Sequence, residues 1–530
     1  METAPRLLII SHDAVGARMA GPGIRAWEMA RALAVQQPVT LIAPASIDYE
    51  PAGFVVGSYT WGNAASLEPW LRDAGVVLAN GHVLAAHPEL GHLACPLALD
   101  LYDPVALENL ELFRNAEPAA RAARMADDRA LLARQLAVAD FIACATERQR
   151  DLYIGALLAL GRVTPERTDA DPQLRSLIDV VPFGLPSEPP LKRGPGVRNV
   201  LPGIGERDTL VIWSGGIWDW LDPLTLVEAI AIARARRPDV RAVFLAGRHP
   251  GGAMPMRAPD AARARAASLG LLGTSVFFYD EWVPYEQRAS FLLEADLAIS
   301  LHHAHLETAY AAVRSRFLDH LWAGLPSVVS AGDAAADLVQ RHRLGRVVAP
   351  GDAMAVAEAI VYLLDDEAER AACAHRARAL AREFTWERVV RPLAAFCRRP
   401  HMTREPIAEP VRATSGATLP GYRDSLSRLH ELWRVTPGDL GSAMPLLGAA
   451  KHAANTLTRW YVEPLVERQN AFNAAVVHAV QALADALARV EAAQPALHQH
   501  IADLEQHVLD IDDLQTAMAR RLASPPEHGS

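Results

Sequence analysis

Short apolar runs alternate with helix-length stretches along residues 7–348, and the alternation starts over once. The first series opens with Leu7-Leu8-Ile9-Ile10-Ser11. A glycine-rich turn, Ala20-Gly21-Pro22-Gly23-Ile24-Arg25, leads into a helical stretch with Trp27, Ala30, Leu33 and Ala34 on one face. Further apolar runs lie at 39–43, 76–79, 97–99, 141–144 and 179–181. The second series begins near residue 208 with Leu210-Val211-Ile212-Trp213. It turns at Ser214-Gly215-Gly216 and enters an alanine-rich helical stretch at 224–236. Its later runs lie at 240–245, 276–279, 297–300, 327–330 and 346–348. Strands separated by helices pair through crossovers rather than hairpins, which gives parallel sheets. Strand, glycine turn and helix form the opening unit of a doubly wound sheet. The Pro- and Gly-bearing segment 182–202 separates the two series. The expected fold class is α/β: two tandem Rossmann-like doubly wound domains facing each other across a cleft, with an α-helical extension behind them.

A chain of 530 residues is too long for one core. Lys and Arg number 52 against 62 Asp and Glu, a net charge of -10. That balance argues against a general nucleic-acid binder, whose phosphate contacts need a basic face. Cys95, Cys144, Cys373 and Cys397 are scattered without CxxC spacing, so neither metal nor redox chemistry is expected from them. Strand-like residues begin at once, so no signal peptide is expected, and no apolar run reaches bilayer length. A cytoplasmic protein, with at most peripheral contact at the inner membrane face, is the expectation.

One segment points to a reaction. Arg314-Ser315-Arg316-Phe317-Leu318-Asp319-His320-Leu321-Trp322-Ala323-Gly324-Leu325-Pro326 reads as a helix that ends near Gly324, with Pro326 before a buried strand. It resembles the donor-binding helix of GT-B glycosyltransferases, whose usual pattern is Glu-Ala-x-Ala-x-Gly-x-Pro-Val-Val. The opening glycine loop, Thr146-Glu147-Arg148-Gln149-Arg150 and Leu177-Ile178-Asp179-Val180-Val181-Pro182-Phe183-Gly184 are similar to motifs of the same family, in the same order. Together they cover roughly residues 5–398, and the likeness is to the retaining family-four (group 1) enzymes of bacterial polysaccharide clusters.

The resemblance implies a nucleotide-sugar donor, held as substrate with no separate cofactor. It places Asp319 where the family's carboxylate contacts ribose or the transferred sugar. A departing diphosphate develops negative charge, which needs metal, basic side chains or helix N-termini. No convincing Asp-x-Asp motif is present, so no metal site is expected, and arginines are the candidates. Arg248 follows a strand directly, and Arg314 and Arg316 begin the Asp319 helix. Relatives carry Arg and Lys after the first strand of the second domain, where this chain has Gly215, Gly216 and then Asp219. Backbone N–H groups at the two glycines, with Asp219 on a sugar hydroxyl or capping a helix, are the expected replacements. The family's paired glutamates are also altered: position 311 is alanine, and Glu307 is the nearest upstream acid. Trp282 and Val283 fall where relatives bind the base. On the acceptor side, Gly21 and Gly23 allow close backbone approach, Arg25 begins the helix behind them, and His82 and Asp103 follow strands.

The expected domains are 1–190 on the acceptor side, 203–384 on the donor side, a crossover helix at 385–398, a linker at 399–448 and a helical extension at 449–524. Within the extension, Leu497, Ile501, Leu504, Val508, Ile511, Met518 and Leu522 follow heptad spacing, which makes 497–522 a candidate coiled coil for self-association or docking. The implied function is sugar transfer to a glycan or lipid-linked acceptor, metal-independent and with retention, in cell-surface polysaccharide synthesis. Two alternatives keep the fold: an inactive scaffold working through its tail, and a nucleotide-sugar epimerase.

Overall fold

The computed structural model describes residues 4–51, 53–247 and 256–404. Arg248 and the whole extension, including 497–522, lie outside the described residues. Within Met1–Ile407 the chain forms one compact unit.

Two parallel sheets organise it. The first contains β1 (Leu7–Ile10), β2 (Val39–Ala43), β3 (Val55–Ser58), β4 (Val76–Asn80), β5 (Leu97–Asp100), β6 (Phe141–Cys144) and β7 (Ile178–Val180), in the order β3-β2-β1-β4-β5-β6-β7. The second contains β8 (Thr209–Trp213), β9 (Val240–Leu245), β10 (Val276–Tyr279), β11 (Leu297–Ser300), β12 (Ser327–Ser330) and β13 (Gly345–Val348), in the order β10-β9-β8-β11-β12-β13. Most of these strands are buried along their whole length, which is why they read as continuous apolar runs. Strand β3 escapes such a reading because it is a half-exposed edge with Gly57 in its middle.

Both orders reverse beside the first strand of their sheet, between β1 and β4 and between β8 and β11. Ligands of open α/β sheets bind outside the carboxyl ends of the strands at such switch points. The loops that meet this condition carry His12 and Gly81-His82 in the first domain, and Ser214-Gly215-Gly216 and Leu301-His302 in the second.

The two domains touch through specific groups. Gln149 donates from Nε2 to the carbonyls of Tyr102 and Tyr310, both at 2.8 Å. Arg148 pairs with Asp337 at 2.7 Å, and Tyr285 Oη donates to Glu28 at 2.9 Å. The segment read as one crossover helix is broken into pieces, Trp386–Val389 and Arg391–Arg398, because Pro392 starts a new helix rather than continuing the old one. Trp386 is buried against Gly184 and Phe183, and Phe396 stacks on Phe141 with centroids 5.0 Å apart. The chain therefore returns to the first domain. Buried Asp140 holds it there, accepting from the backbone N–H groups of Thr403 and Arg404 and pairing with the Arg404 guanidinium.

Candidate donor and acceptor site

The donor side is built on β8 and the helix Ser315–Ala323. After Trp213 the chain turns at Gly215, whose φ of 92° is a conformation L side chains rarely adopt. The turn presents the Gly216 carbonyl to Arg316, which donates to it from Nη2 at 2.6 Å. Arg316 is 8% exposed, and its guanidinium carbon lies 5.3 Å from the Trp213 ring centroid. Its Nη1 is buried with no hydrogen-bond partner among the described residues. Burial, followed by repulsion from Arg314, lowers its pKa to about 9. Arg316 is thus a buried cation beside a glycine turn, at the switch point, without a counter-charge among the described residues.

Arg314 differs from the expectation. Its guanidinium is engaged by Glu307, with Nη2 at 2.9 and 3.3 Å from the two carboxylate oxygens. Glu307 is 4% exposed, on the helix Leu306–Tyr310. Seven residues of chain fold back so that one buried charge neutralises the other, as burial demands. Arg314 therefore positions Glu307 rather than offering a free cation to a phosphate.

Asp319 follows Arg316 by three residues on the same helix but has a different partner. Its Oδ1 accepts from Arg288 Nε at 3.2 Å. Arg288 stacks over Tyr285 and Trp322, 3.9 and 4.5 Å from their ring centroids. Burial raises the Asp319 pKa, and Arg288 opposes that shift. Asp219 is also engaged: its Oδ1 accepts from the backbone N–H groups of Arg257 and Ala258, at 2.7 and 2.8 Å. It caps the helix Ala258–Ser268 from a distant loop, the second of the two roles expected for it. Trp218 and Trp220 stack on each other at 5.4 Å. Val283 packs partly buried with the Tyr279 and Phe291 cluster, while Gly247 lies against the backbone of Glu281 and Trp282.

On the acceptor side, Arg25 and Gly23 meet other parts of the protein. Arg25 is 1% exposed and forms a two-point pair with Asp100, at 2.7 and 2.8 Å. It also donates to the carbonyls of Val181 and Pro182. It ties β5 to the end of β7 and contacts no open space. A Cβ on Gly23 would fall 2.1 Å from the Ala14 carbonyl oxygen, so the glycine serves the protein's own turn. Gly21 has open space where a Cβ would stand. His82 and Asp103 do come to the sheet edge. The His82 ring lies 4.9 Å from that of His12, and burial, followed by Arg124, lowers its pKa. Burial raises Asp103 to about 6. Glu108, on the helix Val105–Leu112, is raised to about 8 by burial and then by Asp103 and Glu307.

Three polar residues of this region were not expected from sequence. Arg288 stands on a separate helix, and nothing in its spacing ties it to Asp319. Glu108 reads as a solvated helix acid until the second domain covers it. His320 is fully buried, bonded to Ser214 and Ser327 at 3.2 and 3.1 Å, and its pKa falls to about 3 through burial and Arg316. Among the described residues no three His, Cys, Asp or Glu side chains cluster as metal ligands would. Nor is any described helix long and apolar enough to cross a membrane.

Residues 208–366 match the family model described as glycosyl transferases group 1. No curated protein matches the chain in sequence. Among solved structures, sucrose-phosphate synthase of Thermosynechococcus elongatus is similar at TM-score 0.52, with 16% identity over 74% of this chain and 98% of that one. HepE of Anabaena, solved with UDP and glucose, is similar at TM-score 0.54, also with 16% identity and the same coverage. A trehalose-6-phosphate synthase reaches TM-score 0.55 at 12% identity, over 75% of this chain and all of the other. The second domain thus matches the group 1 glycosyl transferase model, and the chain has the GT-B fold.

Proposed function

We propose that this protein transfers a sugar from a nucleoside diphosphate sugar to a hydroxyl acceptor. The observation that carries the reading is Arg316. A buried guanidinium without a carboxylate partner is costly unless a ligand supplies the charge. Its place, at a glycine turn on the carboxyl edge of β8, is where a diphosphate would lie. At pH 7 a group with a pKa of about 9 remains charged. Low-dielectric surroundings strengthen its attraction to the charge that develops as the diphosphate leaves.

In this reading the Gly215-Gly216 backbone and Arg316 hold the phosphates. Glu307, oriented by Arg314, accepts from a hydroxyl of the transferred sugar. Asp319 with Arg288 borders the ribose, and Trp282 and Val283 border the base. His82 and Asp103 face the acceptor. No side chain is required as a strong base if the leaving phosphate assists the acceptor hydroxyl, which is the retaining course. The positive charge comes from arginine, so the reading needs no metal. The HepE structure was solved with UDP, which makes UDP the first nucleotide to try. A role in cell-surface polysaccharide synthesis fits the same chemistry.

The test is a thermal-shift series with UDP, GDP, dTDP and CMP, with the Arg316→Ala variant as control. One nucleoside diphosphate should raise Tm in the native protein, and the variant should lose the shift. If no nucleotide stabilises the native chain, the transferase reading fails and a scaffold working through the helical extension expected at 449–524 replaces it.

A further inference from the structure

The helices that follow β5 and β6, with the turn after β4, leave a cavity of about 140 Å³ in the first domain. Leu101, Val105, Leu131, Leu132, Leu152 and Ala156 are among its apolar lining. The polar side chains deeper in the wall already have partners. Gln135 donates to the Gly81 carbonyl at 2.8 Å, and Tyr153 donates to the Leu101 carbonyl at 3.1 Å. Asp128 accepts from Asn109 and Arg124 at 2.8 and 2.7 Å, and Asp100 is held by Arg25. A sugar ring placed against the leucines would leave most of its hydroxyls facing apolar wall. On the sheet-edge side the wall is different: His82 and Asp103, which follow β4 and β5, border the same space.

From this we propose that the acceptor is amphipathic. An apolar group of about one ring seats in the cavity, and the adjoining hydroxyl lies beside His82 and Asp103. The assignment rests on the transferase reading and adds the acceptor's chemical class to it. Size supports it: an engineered apolar cavity of about 150 Å³ in another protein takes up benzene. Chemistry supports it as well, since an apolar wall ending in a neutral imidazole and a carboxyl matches a molecule that is greasy at one end and hydroxylated at the other. A purely polar glycan would use neither the volume nor the leucines.

Fluorobenzene is the probe, followed by fluorine NMR on the full chain. Saturable binding is expected in the native protein. Ala156→Phe and Leu132→Trp, which fill the space from two different helices, should each weaken it tenfold or more. Both variants should keep the UDP thermal shift, which reports on the other domain and on folding. On the native protein alone, 1-fluoroadamantane should fail to compete, being too large, and phenyl β-glucoside should compete where methyl β-glucoside does not. Absence of saturable fluorobenzene binding, undiminished binding in both filled variants, or equal competition by the two glucosides overturns the inference. A UDP shift without fluorobenzene binding removes the acceptor assignment alone. Fluorobenzene binding with no nucleotide shift in the native chain removes the transferase reading and the acceptor assignment with it.

Discussion

At the scale of single residues, the donor side separates two arginines that look equivalent in sequence. Arg314 and Arg316 stand two apart at the start of one helix, so their side chains leave it in different directions. One meets Glu307, and the other meets the Gly216 carbonyl with its Nη1 left unpaired among the described residues. Removing either member of the Glu307–Arg314 pair strands a buried charge. Arg314→Ala should therefore cost about 3–5 kcal/mol in chemical denaturation. The double change Arg314→Met with Glu307→Leu should recover most of that loss while abolishing any sugar transfer. Recovery would fail if Arg314 were instead held by a network in which Glu307 is incidental. Arg316→Ala, by contrast, should leave stability unchanged or improved, because it removes an uncompensated cation.

At the scale of elements, capping explains why Asp219 is tied up. The helix Ala258–Ser268 starts without a side-chain cap from its own flanking residue. Asp219 fills that role from the loop after β8, meeting two backbone N–H groups that the first turn leaves open. Asp219→Ala should lower stability by about 1 kcal/mol, as loss of a cap does. It should leave the nucleotide thermal shift intact. Loss of the shift would instead place Asp219 among the groups that hold the nucleotide. Element boundaries were readable wherever burial was complete. Runs 240–245, 276–279 and 327–330 match the strands they predict, whereas the half-exposed edge strand Val55–Ser58 has only the short run Phe54-Val55-Val56 before Gly57. The break in the crossover segment follows from Pro392, which is visible in the sequence but was outweighed by the helical pattern around it.

At the scale of the whole molecule, the two domains bring carboxyl groups of both near one another. Asp103 and Glu108 belong to the first domain and Glu307 to the second. Burial raises Asp103 to about 6 and Glu108 to about 8. A carboxyl whose folded pKa is raised binds its proton more tightly when folded, so its stabilisation is present at low pH and is lost as pH climbs through the folded value. Asp103 completes this loss near pH 6, and Glu108 continues it to about pH 8. Between pH 6.5 and 8, Tm should fall with pH, with a slope in stability of up to about 1.4 kcal/mol per pH unit. Glu108→Gln should flatten the fall in that window. A flat native profile would mean that Glu108 is ionised throughout, with its burial relieved by motion of the domains.

The sequence by itself determined the two parallel sheets, the turn at Gly215-Gly216 and the helix that carries Arg316 and Asp319. These rest on local information: apolar runs, glycine turns and a helix stop, each set by residues near in the chain. The tertiary structure decided which charges are free. Arg25 meets Asp100 across 75 residues, Arg288 meets Asp319 across 31, and Glu108 is covered by an element some 200 residues away. The state of a charge depends on what desolvates it and what neutralises it. Both are properties of packing, and only the folded chain holds them.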